Sequence, residues 1–375
     1  MLTDRKKDAH IVFRVDASLE IGTGHVVRCM VLARKLRSCG VDCHFVCKNL
    51  PGNIADSIID NGFTCRLIEP VSDVFSEIDE LADLPPHAAW LHGSQGQDAY
   101  SFLEAIKDRY PDWIIVDHYG LDYRWEMLVR SSCGNIMVID DLADRKHDCN
   151  ILLDQNFFSE SEERYSGLVP SESRLMVGPR FALLTESFEA SHSRLLPYAE
   201  RFEKGHIVVF FGGVDLINQT TVACRTLLKN FMHPYKVDVI VGRKNPHIHE
   251  IEATIGNAEH IDLHVQVRNM EHFLERAFLY VGAIGTTTWE RCACHLPGLV
   301  CSVAGNQKKV AVAVRDYGSH IYLGHYTDMS PEIFERELVH LLPDFNRLRT
   351  LSERSSELVD AQGCSRVAKQ LLGLI

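Results

Sequence analysis

Short apolar runs that alternate with amphipathic stretches are the feature that most restricts what this chain can become. The runs at residues 11–15, 43–47, 64–68, 113–117, 135–140 and 150–154 are candidate strands, and segments between them, such as 26–36, carry apolar residues three and four apart as a helix face requires. Strand followed by helix, repeated, builds βα units, and these close as a parallel sheet covered by helices. After Arg180-Phe-Ala-Leu-Leu184 the rhythm lapses into a polar stretch at 191–204 and resumes with runs at 207–211, 237–241, 261–267, 278–281 and 299–303. The expected fold class is α/β, with two Rossmann-like domains facing across a cleft. Residues 1–190 form the first domain, 191–204 a linker, and 205–375 the second. Residues 332–374 read as helical, and the last helix is a candidate to cross back onto the first domain. With 375 residues, 46% of them hydrophobic, two substantial cores are within reach.

A formal net charge of −12 argues against nucleic acid or an anionic membrane as a general partner. The charged start Met1-Leu-Thr-Asp-Arg-Lys-Lys-Asp8 is unlike a signal peptide, and no apolar run approaches the roughly 20 residues of a membrane span. A cytoplasmic protein is expected. Its twelve cysteines lie mostly inside predicted strands and helices, as small hydrophobes do. Neither the Cys39, Cys43, Cys47 series nor Cys292-Ala-Cys294 has zinc-site spacing, so no metal is expected.

The first strand breaks into Asp16-Ala-Ser-Leu-Glu-Ile-Gly22-Thr-Gly24-His25, with His25 at the start of a predicted helix. Ligands of open parallel sheets sit beyond the carboxyl ends of strands, and glycines there let the backbone approach them. The positive end of the helix dipole disfavours imidazolium, and a neutral imidazole accepts a proton. Taken alone, His25 reads equally as a helix cap. In the second half, Phe211-Gly212-Gly213-Val-Asp215 ends one strand, and Gly282-Ala-Ile-Gly285-Thr286-Thr287-Thr288-Trp-Glu290 ends another. Backbone N–H groups and hydroxyls in such a run suit a diphosphate without requiring a metal, and Glu290 offers a carboxylate to two ribose hydroxyls. A plain N-cap makes the same demands on threonine. Ala304-Gly-Asn306-Gln307 follows a further strand, and its two amides offer donor and acceptor together to polar sugar substituents. Trp125 and Trp289 read as core residues. Asp117, Asp140 and Asp141, at strand ends, are either cleft groups or, the blander reading, acceptors for nearby backbone amides. Asp16, close to the His25 loop, either orients the imidazole or the water or only pairs with Arg14 or Arg28.

These motifs together resemble the PseG family, UDP-sugar hydrolases of pseudaminic acid biosynthesis that share the GT-B architecture with MurG-like transferases. Besides residues 14–28, the resemblance rests on Trp90-Leu-His-Gly-Ser-Gln-Gly-Gln-Asp-Ala99, Val116-Asp-His-Tyr-Gly-Leu-Asp122, the run 139–156, Tyr165-Ser-Gly-Leu-Val-Pro170 and Gly178-Pro-Arg-Phe-Ala-Leu-Leu184. It implies hydrolysis of UDP-2,4-diacetamido-2,4,6-trideoxy-β-L-altropyranose to UDP and 2,4-diacetamido-2,4,6-trideoxy-L-altrose, with water attacking the anomeric carbon and inversion. By the resemblance, His25 is the general base and Tyr119 stands near the reacting centre. Gly22, Gly24, Arg28, Gly212, Gly213, Gly285, Thr286, Thr287, Glu290, Asn306 and Gln307 contact the substrate, and no cofactor is implied. UDP is already a good leaving group, so an oriented water, one base and donors for the departing phosphate suffice. A carboxyl pair of the kind that cleaves glycosides is not needed.

The chain departs from the family pattern at Leu216-Ile217, where Pro and a polar residue are usual, and at Ile284, where a glycine pair is common. Ile284 is expected to stiffen or crowd the diphosphate loop. Two other readings stay open at this point: a transferase of the same architecture, with an acceptor hydroxyl in place of water, and a nucleotide-sugar-binding protein without turnover. Oligomeric state is not legible.

Overall fold

A computed structural model describes residues 9–70, 84–229 and 235–373. The charged residues 1–8 and the segment 71–83 lie outside them. The chain forms two compact units: residues 1–156, 160–183 and 363–375 make the first, and 157–159 with 184–362 the second.

In the first unit, seven parallel strands lie in the order β3-β2-β1-β4-β5-β6-β7: β1 (His10–Val15), β2 (Asp42–Lys48), β3 (Thr64–Ile68), β4 (Trp113–Asp117), β5 (Asn135–Ile139), β6 (Ile151–Asp154) and β7 (Arg174–Val177). Strand order reverses between β1 and β4, so their carboxyl ends flank the crevice where ligands of such sheets bind. The helices are α1 (Gly24–Ser38), α2 (Ala55–Asp60), α3 (Gln95–Ile106) and α4 (Tyr123–Val129). Along α1, Cys29, Leu32, Ala33 and Leu36 recur at helical spacing and are fully buried against a core containing Phe13, Phe45 and Ile115. Burying each leucine contributes about 1.5–3 kcal/mol. α1 begins with no side-chain cap from Thr23, which leaves its first N–H groups to the loop, whereas α3 starts in a capping box between Ser94 and Gln97.

The second unit repeats the plan with six parallel strands in the order β10-β9-β8-β11-β12-β13: β8 (His206–Phe210), β9 (Lys236–Val241), β10 (Ile261–Val265), β11 (Leu279–Ala283), β12 (Gly298–Ser302) and β13 (His320–His325). The reversal falls between β8 and β11, and both glycine clusters leave the sheet there. Around it lie α5 (Glu186–Arg194), α6 (Tyr198–Lys204), α7 (Gln219–Lys229), α8 (Ile248–Ile255), α9 (Met270–Arg276), α10 (Thr287–Ala293), α11 (Gln307–Tyr317), α12 (Pro331–Leu341) and α13 (Phe345–Leu358). Gly282 is obligatory in β11, since a Cβ there would stand 1.9 Å from the Phe210 carbonyl oxygen of β8.

The chain then returns to the first unit. α14 (Gly363–Leu371) packs Cys364, Val367, Ala368 and Leu371 into the core beneath α1, and the Trp113 indole N–H donates to the Leu371 carbonyl at 2.9 Å.

The polar stretch 191–204, expected as a linker, instead holds the end of α5 and the whole of α6, and both belong to the second unit. Its polarity marks the solvent faces of short helices. One of its charges is inside: buried Arg201 donates to the carbonyls of Ala277, Cys294 and His295. Two edge strands, β7 and β13, went unread because each keeps only part of its side chains buried.

Candidate active site

His25 is the first residue of α1 to be buried, and β4 ends opposite it in Asp117-His118-Tyr119. The His25 Nδ1 lies 2.6 Å from Asp117 Oδ1. Burial opposes the charge on Asp117, but Arg28 and His25 overcome it and hold the carboxyl well below its ordinary range. Arg28, one turn along α1, grips the same carboxylate with Nε and Nη2, both at 2.6 Å. An ionised Asp117 only accepts, so the ring hydrogen facing it is on His25 Nδ1, and in a neutral imidazole Nε2 is the nitrogen left with a lone pair. One tenth of the His25 side chain is exposed.

Arg28 also donates through Nη1 to Asp141 at 3.0 Å, and the Tyr119 hydroxyl donates to the other oxygen of Asp141. The Tyr119 ring meets the edge of His25, with centroids 4.6 Å apart. His25, Arg28 and Tyr119 are thus brought together by Asp117 and Asp141. Of the two readings of these aspartates from sequence, cleft groups or acceptors for backbone amides, their side-chain partners fit the first: a histidine, an arginine and a tyrosine. The second reading holds in part for Asp140, which accepts the Ala143 N–H as well as Arg145. Nearby, burial and the charge of Asp141 raise the Asp154 carboxyl to about 7.

Beneath the loop a second buried network fixes the carboxyl ends of β1 and β2. Arg14 binds Asp16 through both Nη atoms at 2.6 and 2.9 Å and Asp98 at 3.0 and 2.6 Å, while Lys48 Nζ sits 2.8 Å from Asp98. His118 Nδ1 accepts the Gly120 N–H, so its Nε2 hydrogen faces Asp16 at 3.3 Å. Asp16 is therefore committed to Arg14 and to the Lys48 N–H at 2.6 Å, and it does not orient His25. Gly22 takes φ +78°, closing its N–H onto the Ser18 carbonyl at 2.9 Å, and a Cβ on Gly24 would meet open space.

In the second unit, Gly212 (φ +97°) and exposed Gly213 lead into Asp215, whose carboxylate caps α7 by accepting the N–H groups of Gln219 and Thr220 and the Thr220 hydroxyl. Leu216 stands 74% exposed beyond that cap. At the β11 end, Gly285 and Thr286 are exposed and Thr287 is buried at the start of α10. Ile284 does not crowd the loop: its side chain is buried and its N–H donates to Cys301 of β12. Burial raises the Glu290 carboxyl to about 7, against the Thr287 hydroxyl bonded to it. The Gln307 side-chain oxygen accepts the N–H groups of Val303 and Ala304 at 2.8 and 3.2 Å, so it holds its own loop, while Asn306 is exposed and does not cap α11. Trp125 and Trp289 are core residues, and no disulfide is formed among the described residues.

No family model matches the chain. Among curated proteins, the UDP-2,4-diacetamido-2,4,6-trideoxy-β-L-altropyranose hydrolase of Campylobacter jejuni is 25% identical over 270 residues, covering 71% of this chain and 82% of the relative. The chain is PseG-like. An uncharacterised protein of Methanocaldococcus jannaschii is 21% identical over 294 residues, 77% of this PseG-like chain and 55% of that protein. Among solved structures, MurG of Acinetobacter baumannii superimposes with a TM-score of 0.67 at 12% identity, covering 97% of this chain and 99% of that one. The S. aureus MnaA–UDP co-structure does so at 0.60 and 12%, covering 98% of each chain. The fold is GT-B. No helix among the described residues is long and apolar enough to cross a membrane.

Proposed function

We propose that this chain hydrolyses UDP-2,4-diacetamido-2,4,6-trideoxy-β-L-altropyranose to UDP and 2,4-diacetamido-2,4,6-trideoxy-L-altrose. The observation that carries the proposal is the His25–Asp117 pair at the carboxyl end of the first sheet, together with the sequence likeness to a hydrolase of that substrate. His25 Nε2 takes a proton from water as the water oxygen bonds to the anomeric carbon. The bond from that carbon to the β-phosphate oxygen breaks on the opposite face, so configuration inverts and UDP leaves with the bonding pair. Asp117 stabilises the imidazolium that forms, as in other histidine–carboxylate pairs. Tyr119, its hydroxyl fixed on Asp141, is a wall that keeps the His25 ring in one orientation.

The nucleotide is assigned to the loops after β8, β11 and β12. N–H groups around Gly212, Gly213, Gly285, Thr286 and Thr287 receive the diphosphate, Glu290 the ribose, and Asn306 with the Gln307 amide nitrogen the sugar or its nucleotide. Gly22, Gly24 and Arg28, in the first unit, are further assigned to substrate binding. The reaction requires no metal or cofactor, and a cytoplasmic enzyme with neither nucleic acid nor membrane as partner fits the net charge of −12.

The test is to incubate the purified protein with the UDP-sugar alone and follow UDP and sugar anomers by NMR. Release of UDP without acceptor, with the inverted anomer appearing first, is the expected result. Release only on addition of a sugar or lipid acceptor assigns the chain to the transferases, and tight binding without release to passive nucleotide-sugar binders.

A further inference from the structure

We infer that the chain carries a divalent transition-metal site at the amino ends of β1 and β2, built by His10, Asp42 and His44. Parallel pairing puts His10 opposite Asp42 and Val12 opposite His44, so two imidazoles and a carboxylate rise from one face of adjacent strands. The three ligand atoms all lie within 4.8 Å of one another. His44 Nε2 is 2.7 Å and His10 Nε2 3.8 Å from Asp42 Oδ2. Tetrahedral zinc with bonds near 2.0–2.1 Å separates its ligands by about 3.3 Å, so shifts of about an ångström or less seat the ion. The sheet fixes the strands, and the His10 N–H is further tied to Asp112 Oδ2 at 2.9 Å.

A cation already occupies the focus of these groups. Arg109 Nη1 stands 2.8 Å from His10 Nε2, 2.6 Å from His44 Nε2 and 3.8 Å from Asp42 Oδ2. A guanidinium nitrogen only donates, so facing it each imidazole must present a lone pair. Yet His44 Nε2 also lies against the Asp42 oxygen, and that contact is attractive only if the same nitrogen bears a hydrogen. Whichever form His44 takes, one of its two neighbours is mismatched. An ion bound by all three groups removes the conflict, because lone pairs and carboxylate then all point at positive charge. Arg109 can yield its place: its side chain is 41% exposed, whereas those of His10 and His44 are 17% and 12%.

Two nitrogen donors and one oxygen select ions of the zinc type over Mg²⁺ or Ca²⁺, which take oxygen ligands. A water fills the fourth position. The site lies at the far end of β1 from the His25 loop, about 17 Å along the strand, so it cross-links the sheet and takes no part in the water attack proposed above.

Calorimetric titration of Zn²⁺ into chelator-treated full-length protein tests this. One equivalent is expected to bind saturably and raise the thermal midpoint. His10→Ala and His44→Ala should each weaken binding roughly 10- to 100-fold, and Arg109→Gln, which removes the competitor, should tighten it. Circular dichroism confirms that the variants are folded. Lack of saturable binding in both wild type and Arg109→Gln overturns the inference, as does stoichiometric binding that survives in the His10→Ala/His44→Ala double variant.

Discussion

Asp117 Oδ1 lies 2.6 Å from His25 Nδ1, and the carboxylate that makes this bond is clamped on its other edge by Arg28. One residue therefore does two jobs: it fixes which nitrogen of the imidazole faces outward, and it neutralises a guanidinium buried one turn further along the same helix. Arg28 and His25 sit three apart in α1, so the helix itself sets the geometry.

Replacing His25 with alanine should lower turnover by roughly 100- to 10,000-fold, the range for a lost general base, and leave UDP affinity nearly unchanged. UDP release and calorimetry with UDP measure the two separately. Wild-type turnover in the variant would remove His25 from the mechanism.

Asp117→Asn keeps an oxygen for the Nδ1 hydrogen but loses the charge facing Arg28. Removing one partner of a buried ion pair costs up to about 3–5 kcal/mol; Asp141 still faces Arg28 at 3.0 Å, so urea unfolding should show a loss below that range, accompanied by a fall in turnover. Full activity with full stability would mean that the pair neither orients the ring nor holds the fold.

Glu290 gives a pH dependence. Its carboxyl, raised by burial to about 7 from an ordinary 4.5, is preferred neutral in the free protein. Its contribution to stability is accordingly present below about pH 4.5 and lost as pH rises through about 7. Ribose hydroxyls donating to Glu290 favour the carboxylate, so UDP binding near pH 7 should release a proton and tighten with rising pH. UDP's terminal phosphate titrates near 6 as well, and Glu290→Gln isolates the side chain. Calorimetry in buffers of different ionisation enthalpy should show less proton release in the variant together with weaker UDP binding. Identical release and affinity would place the ribose elsewhere.

Asp140 has the opposite sign. Burial opposes its charge, but Arg145 at 2.7 Å and His147 hold the carboxyl down at about 2, against an ordinary 3.8. The difference corresponds to about 2 kcal/mol of stability, present above about pH 4 and lost as pH falls towards 2. Asp140→Asn should be less stable at pH 7 and lose less stability between pH 5 and 3. Parallel acid profiles for wild type and variant, measured by urea unfolding, would refute the assignment.

Most of the strands were legible because buried parallel strands are short, continuous apolar runs, and β4 matches its run residue for residue. β13 was not, since His320-Ile-Tyr-Leu-Gly-His325 at a sheet edge mixes polar and apolar residues. At the site, His25 was visible as a glycine-flanked histidine at a helix start. Asp117 was quoted within a motif, yet its partner was not read, because the two are 92 positions apart in sequence and are brought together by the pairing of β1 with β4. Two neighbouring strands that both end in polar residues at the switch point were the available signal. The His10, Asp42 and His44 group was equally hidden: His10 starts β1, and the rest of that strand and all of α1 separate it in sequence from Asp42 and His44 at the start of β2.

α14 has a consequence for biosynthesis. The first unit contributes His25 from near the start of the chain, but the surface under α1 is closed by residues 363–371. A nascent chain that has emerged only as far as residue 183 must leave that apolar seam open while the ribosome makes the whole second unit. The first unit closes only once residues 363–371 have been made, and any change that pulls α14 away reopens the same seam.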